Sequence, residues 1–422
     1  MSSSTRIDGS LPDAGVSPAT GIVFSRGWAV QYDWSSDSVG GSGQPSRLKS
    51  LSFPPPFDSD LDGVLRGQGK FSAFLYLFKA GKYLRIREAT MTPDGPALDT
   101  PAAWHLPSSW TKLDAVFPGG GKKSGFAYFF HSDQYIRYDW STDKPSPNYP
   151  KQIAPNWHSP GFERDIDGVI IGQGTFSTKA YLFKTVRRTV NRDGNPVAPH
   201  TPGSRVVLCP VYARYDFDTE RSEGVVNDPA EVVRNWHGLL PLLDAGPAAD
   251  TALQWCDGAL TALAGGAPPA AALGHHFMTT SPTPAQLSAI SARMQAVRDR
   301  INAIPAGFRY TPGLAVSAQT TPGTLTEIGD TFSTFHGPNG RAAVQIHEAV
   351  HFTFTGGVVV DVPEWSGATV NGVPIGVDPA SGVAYNSIST AQAIANPSSY
   401  AAFAQEVTLH GDTRFGEGRR QE

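Results

Sequence analysis

The feature that most constrains how this chain folds is a repeat of about 50 residues within its first 245 residues. The tetrapeptide Leu61-Asp62-Gly63-Val64 recurs as Leu113-Asp114-Ala115-Val116 and again as Ile166-Asp167-Gly168-Val169. A fainter copy, Pro12-Asp13-Ala14-Gly15, precedes these three, and Leu243-Asp244-Ala245 follows them. A fixed period of this length indicates repeated supersecondary units, each of which packs against its neighbours.

Each period contains the same parts in the same order. A short apolar run is followed by a Gly-rich turn, two aromatic runs and a Pro-rich stretch with a tryptophan. Short alternating apolar runs between Gly, Asp and Pro predict strands joined by turns. Three or four strands per period is the size of a propeller blade. We therefore predict an all-β four-bladed propeller at residues 8–246, in which residues 186–208 extend a hairpin of the fourth blade.

The third period shows these parts best, in Tyr128-Phe129-Phe130, Tyr135-Ile136-Arg137-Tyr138-Asp139, Pro150, Ile153 and Trp157. This pattern resembles the hemopexin-like repeat. The resemblance implies a recognition module with a protein or glycan partner, and a calcium or sodium ion in a central tunnel near Asp62, Asp114 and Asp167. The residues also allow a structural role, in which each of these carboxylates bonds the backbone at the start of an innermost strand. The family's disulfide between the first and fourth blades is absent, because no cysteine lies in the first blade.

Composition agrees with a turn-rich chain and excludes several classes of function. The 422 residues include 44 Gly and 35 Pro, and only 17% of them are charged. A net charge of −4 without a long basic run argues against a nucleic-acid partner. No apolar signal segment follows the N-terminus, and no apolar run is long enough to span a membrane. We expect a soluble protein without a signal peptide, cytoplasmic at synthesis, whose export would need a non-classical or injection route.

The composition changes after residue 246. Residues 247–274 are rich in Ala, Gly and Pro, and they predict a linker with one short helix at 250–263. A second helix is expected to begin after Thr283 and Pro284. Its apolar stripe consists of Leu287, Ile290, Met294, Val297, Ile301 and Ile304.

The clearest chemical motif is His347-Glu348-Ala349-Val350-His351, within a third predicted helix at 342–352. Histidines four residues apart project from one face of a helix, so they can present two nitrogens to one zinc ion. Glu348 lies on the adjoining face, where it can take a proton from water and pass it to a leaving amine. The competing interpretation is a helix that carries two ordinary histidines.

A zinc site needs a third protein ligand. Asp361, ten residues past His351, is the leading candidate, and Glu364 is the runner-up. Asp378 is a more distant option. The pair Gly356-Gly357 allows the chain to turn back beneath the helix.

The motif, the Gly-rich turn and Asp361 resemble the aspzincin metallopeptidases, the group of deuterolysin and peptidyl-lysine endopeptidase. A further match is Asn396-Pro397-Ser398-Ser399-Tyr400, which resembles that group's Asn-Ala-Asp-Ser-Tyr segment. The resemblance covers about residues 250–410 and implies zinc held by two histidines and an aspartate. The group's catalytic tyrosine lies three residues after this aspartate, where the present chain has Glu364. Tyr385 is the substitute that we predict.

The sequence therefore predicts a multidomain chain, with an all-β four-bladed propeller at 8–246, a linker at 247–274 and a mainly α (α+β) zincin-like domain at 275–422. The predicted function is a zinc endopeptidase, as a secreted enzyme or toxin-like effector, whose propeller binds the target or a partner. The alternative is a binding protein whose peptidase-like domain is catalytically degenerate, which the replaced tyrosine motivates.

Overall fold

The division of composition near residue 246 has a structural counterpart. A computed structural model describes residues 6–12, 20–39, 44–190, 197–198, 201, 205–303, 308–354, 361–362, 368–370, 373–375 and 383–410. The chain forms two compact units. One comprises Ser3–Arg188 with Leu208–Gly246, and the other comprises Pro247–Glu422 with Met1–Ser2 and Thr189–Val207.

The N-terminal unit is built from short antiparallel strands, because its apolar residues alternate between Gly, Asp and Pro turns. The strands are Gly9–Pro12, Thr20–Ser25, Trp28–Asp33, Ser38–Val39, Ser46–Arg47, Gly63–Arg66, Phe74–Lys79, Lys82–Arg87, Thr92–Pro93, Leu98–Asp99, Ala115–Pro118, Phe126–His131, Gln134–Asp139, Lys144–Pro145, Lys151–Gln152, Gly168–Ile171, Lys179–Val190, Arg205–Asp216 and Arg221–Val226. Between them lie the short helices Leu48–Leu51, Gly69–Phe71, Thr100–Ala103, Gly121–Lys123, Ala154–Trp157, Gly174–Phe176 and Pro229–Asn235.

These strands form three sheets of five, ten and four strands. The ten-stranded sheet contains two repeats, which join through a parallel pairing of Gly63 with Val116. The first strand of each repeat contacts the first strand of the next repeat, and the first strand of the fourth repeat also contacts that of the first. The first strands are Gly9–Pro12, Gly63–Arg66, Ala115–Pro118 and Gly168–Ile171. The N-terminal unit is therefore a β-rich, multi-sheet structure organised around four short strands.

The repeated aspartates connect the start of each repeat to the hairpin formed by its second and third strands. Each carboxylate accepts a hydrogen bond from the backbone N–H eighteen residues later, and for Asp62 and Ala80 this bond measures 2.7 Å. The other pairs are Asp8 with Arg26, Asp114 with Ser132, and Asp167 with Thr185. In all four repeats the aspartate thus bonds the backbone, but its donor lies in the hairpin of the second and third strands, whereas the expected bond was at the start of the innermost strand.

The first copy of the repeat differs from the sequence prediction. The structural equivalent of Asp62 is Asp8, whereas Asp13 lies outside the described residues. Sequence comparison missed Asp8 because Ser10 follows it where the other copies have valine. The expected final copy, residues 243–245, lies within the helix Leu239–Ala264 and starts no strand.

Aromatic side chains fill the space between repeats. Trp236, from the fourth repeat, packs against Tyr32 and Trp34 of the first at ring-centroid distances of 5.6 and 5.8 Å. The backbone N–H of Ile171 also donates to Ser10 Oγ at 3.0 Å. Packing and hydrogen bonds therefore join the first and last repeats, while Cys209 and Cys256 are buried thiols.

The C-terminal unit is mainly helical. The helix Leu239–Ala264 crosses the boundary between the units and is longer than the short helix predicted at 250–263. The other helices are Ala270–Phe277, Pro284–Asn302, Thr331–Phe335, Pro338–Thr353, Tyr385–Ser387, Thr390–Ile394 and Pro397–Leu409. The strands are Phe308–Tyr310, Ala318–Thr321 and Leu325–Ile328 in one sheet, and Ala368–Val370 and Val373–Ile375 in another.

Local sequence signals account for the predicted helices. The helix Pro284–Asn302 begins with a capping box, in which Thr283 and Gln286 exchange side-chain to backbone hydrogen bonds. It buries Ile290, Met294, Val297 and Ile301, as the apolar stripe predicts. The helix Pro338–Thr353, which carries the His-Glu-x-x-His motif, packs against Pro284–Asn302 and Pro397–Leu409. Within the described part of the chain, no helix combines the length and apolarity that a membrane span requires.

The Asp62→Ala variant should lower the stability of the N-terminal unit by about 1–3 kcal/mol, because it leaves the Ala80 N–H without its acceptor. Urea unfolding followed by tryptophan fluorescence measures this change. The Asp58→Ala variant removes a carboxylate from the same loop and should alter stability by less than about 0.5 kcal/mol. Equal losses in the two variants would contradict the hydrogen-bonding role.

Candidate metal centre

The helix Pro338–Thr353 has a buried apolar face and an adjoining face that carries two histidines. Ile346 and Val350 are buried with the alanines of the same helix, which fixes the helix against its neighbours. His347 and His351 lie one turn apart and remain partly accessible, with 17% and 20% of their side-chain surfaces exposed. The sequence therefore places both imidazoles at the edge of the core, where a ligand can reach them.

Three donor atoms converge beside this helix. The Nε2 atoms of His347 and His351 are 3.1 Å apart. Asp361 places Oδ1 3.5 Å from Nε2 of His347 and Oδ2 3.6 Å from Nε2 of His351. The structure thus brings together the two histidines and the leading third-ligand candidate of the sequence prediction.

The second nitrogen of His347 has its own partner. Nδ1 lies 3.3 Å from Oγ of Ser398, at the start of the helix Pro397–Leu409. When Nδ1–H donates to this hydroxyl, the lone pair of Nε2 is free to face Asp361 and His351. Ser398 therefore supports the tautomer of His347 that a metal ion needs.

The loop that carries Asp361 is held by a buried amide. Asn396 Oδ1 accepts a hydrogen bond from the Val362 N–H at 3.0 Å, and Nδ2 donates to the Val362 carbonyl at 2.9 Å. Nδ2 also donates to Ser399 Oγ at 3.1 Å. Because Val362 follows Asp361 directly, this pair of hydrogen bonds fixes the backbone beside the carboxylate. Sequence reasoning found the 396–400 segment through family resemblance but did not assign Asn396 and Ser398 these roles.

The protonation states of the three groups are set by burial and by one another. Burial lowers the pKa of His347, which keeps its imidazole neutral. Burial alone would lower the pKa of His351, but the nearby carboxylates of Asp361 and Glu348 outweigh it and raise this pKa. Burial works to raise the pKa of Asp361, yet the two histidines lower it, so the carboxylate is ionised. The cluster thus combines a carboxylate charge with imidazole donors.

Glu348 is buried beside this cluster. Only 8% of its surface is exposed, and within the described residues its Oε2 atom has no hydrogen-bond partner. A buried carboxylate oxygen without a donor is costly, so it calls for a donor that binds there, such as a water molecule or a substrate amide. This is the environment that a proton-transferring carboxylate needs.

The residues present fit a zinc ion. Two nitrogens bound to one tetrahedral zinc are about 3.3 Å apart, close to the 3.1 to 3.6 Å separations of the three donor atoms. Two imidazoles and a carboxylate are also a ligand set of catalytic zinc sites, in which a further position stays open. The side chain of Asp361 is 54% exposed, so the cluster is accessible from that side.

The remaining predicted residues have other positions. The Tyr385 hydroxyl is 3.0 Å from Nδ1 of His276, so the predicted catalytic tyrosine bonds a histidine outside this cluster. Glu364 and Asp378 lie outside the described residues. His276 belongs to a second group with His275 and Glu406, which the sequence did not predict. The neighbouring histidines were a visible signal, but their partner follows about 130 residues later.

The ion predicted for the central tunnel would lie in the N-terminal unit, near Asp62, Asp114 and Asp167. Burial raises the pKa of Asp8 to about 7 and also raises the pKa values of Asp62 and Asp167, while the Arg6 guanidinium opposes the shift at all three. Asp62, Asp114 and Asp167 do not form one of the groups of metal-ligating atoms found within 4.8 Å of one another in the described residues. A calcium or sodium ion there stays a prediction, and Arg6 already supplies positive charge to Asp8, Asp62 and Asp167.

Comparisons with known proteins give partial likenesses. No family model matches the chain. It is 31% identical to stromelysin-1 from Equus caballus over 128 residues, which are 30% of this chain and 24% of that protein. The chain thus spans about a quarter of the length of this curated relative.

Two of the similar solved structures differ in kind. One is the hemopexin fold protein CP4 from cow pea, with 15% identity, coverage of 57% of this chain and 97% of that chain, and a TM-score of 0.41. The other is a zinc peptidase from Grifola frondosa, with 16% identity, coverage of 39% and 93%, and a TM-score of 0.29. The structural neighbours therefore include a hemopexin-fold protein and a zinc peptidase.

The Asn396→Ala variant should weaken zinc binding by about 10- to 100-fold, because the backbone beside Asp361 loses both of its amide contacts. Competition with a zinc-sensitive dye measures the affinity. Asn386→Ala removes an exposed amide from the same unit and serves as the control. If both variants bind zinc like the unmodified protein, Asn396 does not support the site.

Proposed function

We propose that the C-terminal unit is a zinc-dependent peptide hydrolase. The observation that carries this proposal is the convergence of His347, His351 and Asp361 next to the buried carboxylate of Glu348. A structural cluster of two histidines and an aspartate would explain the contacts among those three residues. It would not explain why, among the described residues, no donor reaches a buried oxygen of the Glu348 carboxylate beside them.

In this proposal His347, His351 and Asp361 hold the ion. Zinc in such a site supplies a Lewis acid that polarises the carbonyl of the scissile peptide bond. Glu348 acts as the general base, which accepts a proton from the attacking water at its free carboxylate oxygen. The same carboxyl group then delivers the proton to the nitrogen of the departing amine. Ser398 and Asn396 keep His347 and Asp361 oriented during these transfers.

A second candidate function follows from the position of Tyr385. In the aspzincin resemblance a tyrosine stabilises the oxyanion, but here the corresponding position holds Glu364, and the Tyr385 hydroxyl bonds His276. A zinc-binding domain without this tyrosine would serve as a degenerate peptidase within a binding protein. Cleavage of casein by the full-length, zinc-loaded chain separates the two functions, because only the hydrolase turns it over.

For the N-terminal unit we propose a four-bladed hemopexin-like propeller that binds a protein or glycan partner and so selects the target. The four aspartate-anchored repeats and the contacts among their first strands support this architecture. A target-binding unit joined to a hydrolase would suit a secreted enzyme or a toxin-like effector delivered to another cell.

The Glu348→Gln variant should reduce the rate of casein cleavage by about 10²- to 10⁴-fold while zinc remains bound, because the amide cannot accept a proton. Cleavage assays and metal analysis of the same samples measure both quantities. Glu327→Gln changes a carboxylate that pairs with Arg309 and should leave the cleavage rate unchanged. Zinc-loaded wild-type protein without casein cleavage would contradict the hydrolase and favour the binding protein.

The third ligand can be assigned by comparing Asp361→Ala with Glu364→Ala. We expect Asp361→Ala to lose the zinc that depends on His347, because it removes one of three donors. Glu364→Ala should retain this zinc. Metal content after dialysis provides the measurement, and the opposite result would make Glu364 the ligand.

A further inference from the structure

We propose that His275, His276 and Glu406 form a second metal site, which takes a transition-metal dication such as Zn²⁺ and joins the last turns of two helices. This site lies in the C-terminal unit and is independent of the proposed hydrolase activity. It would hold its ion in a structural role.

The three side chains already converge on one another. His275 and His276 lie in the last turn of the helix Ala270–Phe277, and Glu406 lies in the last turn of Pro397–Leu409. Nδ1 of His275 is 3.0 and 3.1 Å from the two oxygens of Glu406, and Nε2 of His276 is 2.7 Å from Oε2. Two nitrogens and a carboxylate oxygen are thus close enough to share a single ion.

His276 is oriented as a metal ligand would be. Its side chain is buried, with 3% of its surface exposed, and Nδ1 lies 3.0 Å from the Tyr385 hydroxyl. A tyrosine hydroxyl both donates and accepts hydrogen bonds, so either tautomer of His276 keeps a partner at Nδ1. The Nε2 proton can therefore leave when an ion binds, without leaving a buried nitrogen unsatisfied. In other proteins, metal-binding histidines likewise hydrogen-bond through the ring nitrogen that does not bind the ion.

The ligand set selects the class of metal. Two imidazoles with one carboxylate suit Zn²⁺ and its neighbours in the transition series, whereas Mg²⁺ and Ca²⁺ prefer oxygen ligands. The side chain of His275 is 65% exposed and gives an ion a path from solvent.

The second cluster is separate from the first. Ser398, which contacts His347, and Glu406 are eight residues apart on the same helix, a rise of about 12 Å. One ion cannot serve both clusters. An ion at His275, His276 and Glu406 would instead tie the far end of this helix to Ala270–Phe277, against which it packs.

Zinc stoichiometry tests the proposal. The full-length chain and its variants are stripped with a chelator and dialysed against buffered Zn²⁺, and bound zinc is measured by mass spectrometry. We expect two equivalents for the wild type, one for His275→Ala, one for His347→Ala and none for the double variant. His410→Ala removes an exposed imidazole just after the same helix and should keep both equivalents. Circular dichroism in chelator confirms that each variant is folded.

The outcomes separate this proposal from the proposed function. A single equivalent in the wild type that His347→Ala abolishes would overturn the second site and leave the first intact. A single equivalent that survives His347→Ala but not His275→Ala would support the second site and overturn zinc binding at the first.

Thermal unfolding provides an independent measurement. In the His347→Ala background, added Zn²⁺ should raise the melting temperature of the C-terminal unit, because the ion binds the folded state. The rise should disappear when His275→Ala or Glu406→Gln is added. A rise of equal size in all of these variants would overturn the proposal.

Discussion

The packing of the helix Pro397–Leu409 against its neighbours is the constraint on which the C-terminal unit depends. At its start, Asn396 and Ser398 reach the backbone beside Asp361 and the imidazole of His347. Near its end, Glu406 bonds His275 and His276. The core of this helix is fully buried, with Tyr400 and Phe403 inaccessible to solvent. A single packed element therefore positions both histidine clusters, and the apolar burial that holds it also fixes the polar groups at its two ends.

The two clusters share a ligand chemistry but differ in what surrounds them. Beside the first lies a buried carboxylate oxygen of Glu348 that has no hydrogen-bond partner in the part of the chain that the structure describes, which suits chemistry on a bound molecule. The second has the hydroxyl of Tyr385 behind His276, which satisfies the remaining nitrogen of the imidazole. These differences motivate the catalytic role that we propose for the first cluster and the structural role that we propose for the second.

In the N-terminal unit a comparable constraint acts at shorter range. Each repeat begins with an aspartate that accepts a backbone N–H from the hairpin of its second and third strands, so the start of the first strand and this hairpin are fixed together. The aromatic rings around Trp236 then fill the space between the first and fourth repeats, which no disulfide joins. Local hydrogen bonds and shared aromatic packing thus join the repeats of this unit.

The sequence by itself determined the features that arise from local periodicity. The 50-residue repeat, the stripe at Ile290, Met294 and Val297, and the four-residue spacing of His347 and His351 each express a regular backbone geometry, which fixes where side chains point. Only the tertiary structure decided which distant groups meet. In the structure, Asp8 begins the first repeat and Tyr385 bonds His276. Asn396 bonds the Val362 backbone, and Glu406 bonds the two neighbouring histidines. Apart from the hydrogen bond of Asp8, these contacts join residues that are separated by long stretches of chain, so tertiary packing brings them together.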